Sequence, residues 1–350
     1  MMSINQNDQL VLSVIMPLRN EEGNIATLLD QLCAQTLDPH NYEVIIVDGM
    51  SEDRTVELVN GFSNKLTNLR VFSNPRFISS VARNIGAEHS RAPYILFLDG
   101  HCQLMSNDFL AEIVSAFQRG EICLSRPQPL LTENVSSFRK AAAFARNSTL
   151  GHYAGSKIYL MNCCHCNPVS AGCGYQRHIY LELGGMDESF DACEDLEFNL
   201  RVHRRGIEAF HSKAFAVWYL PRKNLFTLFR QLYRYGYGRA KTAKKHPGNV
   251  STLALLLSGF VSVFLLFPLV SHFVAFPSWA WVVLYGGYAL TTGFIATYLA
   301  AIHGWHLLGW IFLCYPAIHF GCGLGYLSGL INGPSLNHSP RRKGSESRQT

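Results

Sequence analysis

The stretch YILFLDGHCQL, from Tyr94 to Leu104, decides how the first half of the chain folds. It begins with an apolar run of the kind found in strands that are buried on both faces of a sheet. The run ends on Asp99, and His101 follows after a single glycine. An aspartate in this position either makes a structural hydrogen bond or faces a ligand, and the surrounding sequence has to separate these two roles.

Three similar apolar runs come before this stretch, each followed by a segment whose apolar residues have helical spacing. The predicted strands are Leu10–Pro17, Tyr42–Gly49 and residues 68–74. Strands that alternate with helices predict an α/β fold, with a mostly parallel sheet and helices on both faces. In such sheets ligands bind beyond the carboxyl ends of the strands. Pro17, Asp48 and Asp99 lie at those ends, which favours a ligand for Asp99.

The composition of the chain changes sharply after the first two thirds. Only 16% of the residues are charged, below the roughly 25% of an ordinary soluble domain. No acidic residue lies between Glu208 and Glu346, and no charged residue of either sign lies between Lys245 and Arg341. A span of this length without a formal charge is hard to reconcile with a surface that faces water.

Three apolar stretches fill this uncharged region, at 253–276, 279–302 and 307–331. Each reaches the roughly 20 residues that an α-helix needs to cross a bilayer. Buried helices of a soluble protein are the alternative, but three in succession without a charge argue against it. The connections between them are short, so neighbouring helices should form hairpins.

A basic segment, Arg222 to Lys245, comes directly before the apolar stretches and holds eight Lys or Arg residues and no acid. Its position favours contact with anionic lipid rather than nucleic acid, because no nucleic-acid motif accompanies the charge. Leu225, Leu228 and Leu232 share one helical face. The segment therefore predicts a helix in the membrane interface, with an amphipathic helix packed on protein as the alternative.

The sequence thus divides into four parts. We expect a cytosolic α/β domain at 1–215, a basic amphipathic interfacial segment at 216–250, a membrane domain with three apolar spans at 251–332 and a polar, disordered tail at 333–350. The polar N-terminus has no apolar core after a basic start, so no signal peptide is expected. Three full spans would place the basic residues 341–343 outside, against the positive-inside rule. Either one segment is re-entrant, or the basic charge of the tail does not determine the topology.

The ten cysteines are expected to be free thiols or metal ligands, because the globular part should lie in a reducing compartment. The stretch MNCCHCNP brings Cys163, Cys164, His165 and Cys166 together. Adjacent ligands lack the paired spacing of a zinc site. The stretch is better interpreted as a loop before an acceptor pocket.

Four short motifs follow the predicted strands in order: MPLRNEEGNI, VDGMSEDRT, FLDGH and, further on, GGMDESFDACEDLEF. As an ordered set they resemble the P-x-x-N-E, V-D-x-x-S-x-D, D-x-D, G-G-[FM]-D-E and E-D elements of the family 2 glycosyltransferases, which transfer sugars from nucleotide-sugar donors. The D-x-H variant, together with an apolar C-terminal part, resembles the bacterial exopolysaccharide transferases of the succinoglycan type. The resemblance implies a GT-A-type nucleotide-binding sheet followed by C-terminal transmembrane helices.

The resemblance also implies a donor site at the strand ends. Carboxylates there, such as Glu21 and Asp48, can accept hydrogen bonds from the base and the ribose, and Arg83 can pair with phosphate. For Glu21 the alternative role is capping of a helix N-terminus. The nucleotide-sugar-binding residues that the resemblance implies are Pro17, Asn20, Glu21, Asp48, Asp53, Arg83 and Asp99.

Asp99 and His101 are the expected metal ligands. A divalent ion, Mg²⁺ or Mn²⁺, would stabilise the charge of the leaving nucleoside diphosphate. The family usually has a second aspartate where this chain has His101, and an imidazole suits Mn²⁺ better than Mg²⁺. A buried histidine satisfied by a backbone carbonyl is the alternative for His101.

Two adjacent acids are candidates for the chemistry itself. The resemblance assigns the general base to Asp195 and implies that Glu194 positions or binds the acceptor. Helix capping is the alternative for both, since each lies in a predicted first turn. Gln231, Arg234 and Tyr235 resemble the family's Q-x-x-R-W element, with tyrosine in place of tryptophan, and are expected to contact the acceptor or the diphosphate.

Together these features predict a multi-pass enzyme of the inner membrane with a cytoplasmic catalytic domain. It would be an inverting glycosyltransferase that moves a sugar from a nucleotide-sugar donor, a UDP-sugar, to a lipid-linked or polysaccharide acceptor. Other polysaccharide-assembly proteins are candidate partners, and nucleic acid is not. The alternative is a catalytically silent membrane scaffold that binds nucleotide sugars. A dinucleotide-dependent oxidoreductase is disfavoured, because the first strand lacks the glycine-rich turn that such cofactors need.

Overall fold

A computed structural model describes residues 10–151 and 158–332 of the chain. The tail predicted at 333–350 lies outside the described residues. Within them, the protein is an α/β domain followed by long apolar helices, as the sequence predicts.

The first third of the chain alternates strands and helices. Its elements are β1 (Leu12–Leu18), α1 (Ile25–Cys33), β2 (Tyr42–Asp48), α2 (Thr55–Asn60), β3 (Leu69–Ser73), α3 (Ser79–His89) and β4 (Tyr94–Phe97). β1 and β2 are buried almost throughout, which explains their near-continuous apolar sequences. Each strand has a buried polar residue near its start, and the two pair with each other: the Ser13 hydroxyl donates to the Glu43 carboxylate at 2.7 Å.

The middle of the chain has shorter elements. They are β5 (Cys102–Leu104), α4 (Phe109–Gln118), β6 (Cys123–Ser125), α5 (Ser137–Asn147), β7 (Cys164–Cys166), β8 (Gly172–Gln176), α6 (Arg177–Glu182), α7 (Glu194–Arg204), β9 (Ala209–His211) and β10 (Val217–Tyr219).

Eight of these strands form one mixed sheet, in the order β3-β2-β1-β4-β8-β6-β9-β7, and β5 pairs with β10 in a separate ribbon. The first four strands are parallel, while β8 runs antiparallel to both β4 and β6. In this register Leu18 lies opposite Asp48, and Ile15 lies opposite Phe97. The ends of β1, β2 and β4 therefore meet at one edge of the sheet, with helices packed on both faces.

The cysteine-rich stretch differs from its predicted form. Cys164–Cys166 are the edge strand β7 rather than a loop, and the exposed His165 ring lies 3.0 Å from the Glu121 carboxylate. Among residues 10–151 and 158–332, no group of three or more His, Cys, Asp or Glu side chains could hold a metal ion. A three-residue strand is too short for its period to be seen in sequence.

The C-terminal part is entirely helical in its described residues. The helices are α8 (Leu225–Lys245), α9 (Thr252–Phe273), α10 (Ser278–Trp281), α11 (Gly287–His303) and α12 (Leu308–Ile331), with a π-helical turn at Val282–Gly286 between α10 and α11. Three helical segments are long and apolar enough to cross a membrane: α9, the run from α10 through α11, and α12 with the turn before it. These segments differ in how much of their apolar part is buried inside the protein. The buried share is 56% for the segment with α12, 17% for α9 and 11% for the segment from α10 through α11.

α8 and α12 lie side by side and run in the same direction. Glycines allow the contact: a Cβ on Gly325 would lie 2.0 Å from the Tyr233 carbonyl oxygen, and one on Gly236 would lie 2.1 Å from the Cys322 carbonyl oxygen. Leu228 on α8 is fully buried in the same cluster as the first half of α12. Part of the apolar face of α8 thus packs on α12, and the interfacial position expected for this segment stays a prediction.

Candidate active site

The candidate site lies at the carboxyl edge of β1, β2 and β4. Pro17 is the penultimate residue of β1 and lies opposite Val47. Asp48 ends β2, is largely buried, and accepts hydrogen bonds from the backbone and the hydroxyl of Ser51 at 3.0 and 2.6 Å. Asp48 therefore has a local partner in the chain as well as a place at the edge where a ligand would bind.

Glu21 faces His101 across this edge. One Glu21 carboxylate oxygen lies 3.1 Å from His101 Nδ1, and the other accepts from the Asn24 side chain at 2.8 Å. The carboxylate does not cap the backbone of α1, which begins at Ile25. The capping role considered for Glu21 is therefore not the one that the structure shows.

Asn20 and Asp53 hold the loops after β1 and β2 together. Asn20 has a left-handed backbone (φ 55°), and its side-chain oxygen accepts from the backbone of Glu52 at 2.8 Å. The Asp53 carboxylate accepts from Thr55 and from the backbone of Glu22. Although desolvation opposes it, hydrogen bonding from Thr55 lowers the pKa of Asp53. Both side chains shape the two loops that border the site.

Arg83 on α3 joins two of the expected site residues. Its Nη2 lies 2.8 Å from Asp99 Oδ1, and its Nη1 contacts the Glu194 carboxylate. Burial would raise the pKa of Asp99, but the Arg83 charge outweighs it and holds the pKa below its usual range. Burial raises the pKa of Glu194, because the Arg83 charge does not fully offset it. Arg83 is thus held between two carboxylates.

The two adjacent acids of α7 have different surroundings. Glu194 is buried in the ion pair with Arg83, whereas Asp195 is exposed. Asp195 accepts a hydrogen bond from the backbone of Leu196 at 2.8 Å. Cys193 before them has a left-handed backbone (φ 60°), which turns the chain into the helix. Of these two acids, only Asp195 is open to solvent.

Gln231 and Arg234 point to different places. Gln231 is buried and donates to the hydroxyls of Tyr219 and Tyr235 at 3.3 and 3.0 Å. Arg234 instead contacts Asp191, through both its backbone carbonyl and its carboxylate. The structure therefore brings Gln231 and Tyr235 together and places Arg234 on the acidic loop before α7.

Tyr219 connects this group to the strand edge, a contact that the sequence does not reveal. Its ring meets the His101 ring edge-on, with centroids 4.8 Å apart. Tyr219 ends β10, which is far from His101 in the chain but adjacent to it through the β5–β10 pairing. A continuous path of side chains thus runs from His101 through Tyr219 to Gln231.

Asp99 and His101 can contribute to a cation site only in part. His101 Nε2 is buried and has no hydrogen-bond partner among the described residues, as expected for a nitrogen that awaits a ligand. One Asp99 oxygen is occupied by Arg83. A divalent ion held by these two side chains would need its remaining ligands from outside the chain.

Comparisons with known proteins agree with this fold. The family model described as Glycosyl transferase family 2 matches residues 13–173, and that described as Glycosyl transferase family group 2 matches residues 94–318. The succinoglycan biosynthesis protein ExoA of Rhizobium meliloti (strain 1021) is 29% identical over 79% of this chain and 84% of its own length.

Two further proteins are similar over most of the chain. A dolichyl N-acetyl-alpha-D-glucosaminyl phosphate 3-beta-D-2,3-diacetamido-2,3-dideoxy-beta-D-glucuronosyltransferase of Methanococcus voltae is 24% identical over 73% of this chain and 80% of its own. The mannosyltransferase PcManGT from Pyrobaculum calidifontis, solved in complex with GDP-Man and Mn²⁺, has a TM-score of 0.58, with 16% identity over 90% of this chain and 86% of its own. Its likeness supports the GT-A fold. On the strength of the two family models, the chain belongs to glycosyltransferase family 2.

Proposed function

We propose that this glycosyltransferase is anchored in the inner membrane, uses a UDP-sugar, and transfers the sugar with inversion to a lipid-linked acceptor in the synthesis of a cell-surface polysaccharide. The observation that carries the proposal is the chain of contacts from Asp99 through Arg83 to Glu194, which precedes the exposed Asp195 in α7. It unites the end of a sheet strand, where nucleotides bind in α/β folds, with an exposed carboxylate that can act as a base.

The donor is proposed to lie along the carboxyl edge of the sheet. Asp48 and Glu21 would accept hydrogen bonds from the base and the ribose, while Pro17, Asn20 and Asp53 shape the loops around them. The diphosphate would lie beside Asp99. Arg83 would help to balance the charge of the diphosphate from the far side of Asp99, since its guanidinium is already held by two carboxylates.

A divalent ion is proposed to join donor and protein at Asp99 and His101. Bound there, it would offset the negative charge that develops on the leaving diphosphate. The unpartnered His101 Nε2 supports this role, and the Mn²⁺ in the Pyrobaculum mannosyltransferase is consistent with it.

Asp195 is the proposed general base. A hydroxyl becomes a good nucleophile when a carboxylate accepts its proton in the transition state, which typically accelerates such steps by about 10²–10⁴-fold. Attack from the face opposite the diphosphate inverts the anomeric carbon. Glu194 would position Arg83 and, through it, Asp99. Tyr235 and Gln231 would border the acceptor, and Arg234 would hold the loop at Asp191.

The membrane anchor is proposed to be the hairpin of α9 and α10–α11 rather than three spans. Both of these segments expose most of their apolar side chains. In its first half α12 touches the globular domain, where Tyr315 meets Ser148 beside α5. At its end, the Asn332 carbonyl accepts from Lys244 of α8. α8 in turn is tied to Asp187 and Glu197 by Lys245.

This arrangement would keep α12 on the cytoplasmic side. The basic residues at 341–343 would then satisfy the positive-inside rule, which three full spans would violate. The proposed organisation is a catalytic domain at 1–215, a connecting segment at 216–250 that packs on protein, and an apolar domain at 251–332 with two crossing segments.

The names of the relatives support the class of acceptor. The Rhizobium relative is named for succinoglycan biosynthesis, and the Methanococcus relative acts on a dolichyl-phosphate-linked sugar. The alternative is a silent scaffold that binds the nucleotide sugar without transfer.

The test is incubation of membranes that contain the full chain with a panel of labelled UDP- and GDP-sugars, followed by extraction of the lipid fraction. We expect label from one UDP-sugar in that fraction, and none with the Asp99→Ala variant. Nucleotide-sugar binding without any product would favour the scaffold.

A further inference from the structure

A buried arginine, Arg126, lies at the same edge of the sheet as the candidate site. It follows Ser125, the last residue of β6. β6 and β4 both run antiparallel to β8, which lies between them, so β6 and β4 point in the same direction. The carboxyl end of β6 is therefore on the edge where β4 leads into Asp99, and Arg126 lies on that edge.

The Arg126 side chain extends along this edge toward β4. Its Nη1 donates to the Phe97 carbonyl oxygen at 2.9 Å, although two strand spacings, about 10 Å, separate β6 from β4. Phe97 ends β4 and precedes Asp99 by two residues. Burial would raise the pKa of Asp99, but the Arg83 charge outweighs this effect, and the Arg126 charge contributes in the same direction. The guanidinium of Arg126 is thus close enough to Asp99 to act on it electrostatically.

Among the described residues, Arg126 has no carboxylate within ion-pair distance. It is only 2% exposed. Its Nε is buried and makes no hydrogen bond within the described part of the chain. A guanidinium keeps its charge in proteins, so a buried one normally pairs with an acid or binds a ligand. Attraction to Asp99 at longer range would balance part of the charge, but it would not give the Nε–H an acceptor.

Arg177 shows how the chain satisfies an arginine at the other edge of the sheet. It follows β8 there, and its backbone N–H donates to the Pro93 carbonyl, just before β4. It also lacks a carboxylate partner among the residues that the structure describes. However, its Nε donates to the Ser90 hydroxyl at 2.8 Å, and its Nη2 donates to the Glu88 backbone carbonyl at 3.1 Å. The unfilled donor of Arg126 therefore does not follow from the lack of an acid alone.

Arg83, the cation in contact with Asp99, is already occupied. It is held between Asp99 and Glu194, so its charge is balanced within the chain. An anion bound beside Asp99 would thus find an unfilled guanidinium donor on Arg126. A nucleoside diphosphate suits this donor, because phosphate oxygens accept charge-assisted hydrogen bonds from a guanidinium group.

We infer that Arg126 is a further donor-binding residue, whose guanidinium contacts the diphosphate of the nucleotide sugar beside Asp99. This inference rests on the proposed function and adds a direct contact to its donor site. Arg83 would act on the diphosphate from the far side of Asp99, whereas Arg126 would donate to the phosphate oxygens themselves. None of the motifs identified in the sequence includes Arg126.

The test measures nucleotide binding to the purified full chain in detergent with Mn²⁺ present, so it does not depend on turnover. UDP and UMP are the probes, because they differ only in the second phosphate, and GDP and GMP are measured beside them. For Arg126→Gln we expect UDP to bind at least about tenfold more weakly and UMP to stay within about threefold of wild type, since a charge-assisted contact is lost. Arg126→Lys keeps the charge without the planar fork and should recover part of the UDP affinity.

Arg177→Gln is the matched control. It should leave the ratio of UDP to UMP affinity unchanged, even where it lowers the melting temperature. Equal losses of UDP and UMP affinity in Arg126→Gln would overturn the inference, because they would make Arg126 a residue that only shapes the pocket. Unchanged UDP affinity would overturn it as well. If melting curves show that Arg126→Gln does not fold, Arg126→Lys decides, and a wild-type ratio in that variant would overturn the inference.

Failure of the proposed function gives different results. If the wild-type chain binds GDP but not UDP, the proposed uridine donor is wrong, and a drop in the ratio of GDP to GMP affinity in Arg126→Gln would still support the inference. A selective loss of UDP affinity in Arg126→Gln, with no sugar transfer by wild-type membranes, would support the contact and count against the proposed transfer alone.

Discussion

Arg83 Nη2 lies 2.8 Å from Asp99 Oδ1, at the point where β4 leaves the sheet. The same guanidinium contacts Glu194 on α7, so one cation links the proposed donor edge to the helix that carries the proposed base. Because Arg83 is nearly buried and its partners are acids, the pair fixes the relative position of two segments that are distant in sequence.

The first prediction concerns this link. Arg83→Gln removes the cation that Asp99 and the buried Glu194 share, so we expect loss of transfer by at least about a hundredfold and a clear drop in melting temperature. Arg83→Lys keeps the charge but cannot reach both acids with one planar group, and should retain part of the stability and little activity. Wild-type activity in Arg83→Gln, measured with a labelled donor, would show that the link is dispensable.

His101 allows a test of the metal. We expect His101→Asp to keep transfer and to shift the preference from Mn²⁺ toward Mg²⁺, because a second carboxylate replaces an imidazole. His101→Phe keeps the ring contact with Tyr219 and removes the nitrogens, so it should lose metal-dependent transfer. Titration of activity against each ion checks both outcomes. If His101→Phe follows the wild-type curves, His101 is a packing residue only.

Glu197 gives a prediction about pH. It is fully buried on α7 and pairs with Arg201, Lys245 and His246, which joins α7 to the end of α8. Burial would raise the pKa of Glu197, but hydrogen bonds led by those from Arg201 hold it below its usual value. A lowered acid pKa means that the stabilisation is present above the unfolded pKa of about 4.3 and is lost as pH falls toward the folded value.

Glu197→Gln should therefore lower the melting temperature at pH 7 and have a smaller effect near pH 4. The expected cost at neutral pH is about 1–3 kcal/mol, because Arg201 and Lys245 are partly exposed and can turn to water. Glu57→Gln, on the short helix α2 and without an ion pair among the described residues, is the matched control. An effect of equal size at both pH values would mean that Glu197 acts through its shape and not its charge.

A topology measurement distinguishes a membrane hairpin that crosses twice from an anchor with three spans. Reporters that are active on only one side of the membrane can be fused after Gly248, Val274 and Asn332. With α9 and α10–α11 crossing and α12 on the cytoplasmic side, the first and last fusions should report the cytoplasm and the middle one the opposite side. A last fusion that reports the outside would establish three crossings.

Much of the fold could be predicted from sequence because its signals are local. The runs that became β1, β2 and β4 are mostly apolar, as expected for strands buried on both faces, and a residue of the site lies within two residues of the end of each. The start of α7 at Glu194 is also local, since an acid pair follows a turn and precedes helical spacing.

What could not be predicted depends on contacts between distant segments. Hydropathy alone does not show that α12 is more buried than α9, because both helices are apolar enough to cross a membrane. The glycines of α12 at 321, 325 and 329 carry a spacing that permits close packing, but the partner, α8, is not evident from it. Tyr219 belongs to no motif, and only the fold brings its ring against that of His101.

The last prediction is the general base. Asp195→Asn keeps the size of the side chain and can still accept from the Leu196 backbone, but it cannot take a proton. We expect nucleotide-sugar affinity within about twofold of wild type and transfer reduced by at least a hundredfold, the range that a positioned base contributes. Glu194→Gln is the informative comparison, because it weakens the buried pair with Arg83 and should lower stability as well as activity. Asp191→Asn, on the same acidic loop, is the matched control and should stay within a few-fold of wild type. Transfer that persists in Asp195→Asn but disappears in Asp191→Asn would move the base to Asp191 and reverse the roles proposed for the two acids.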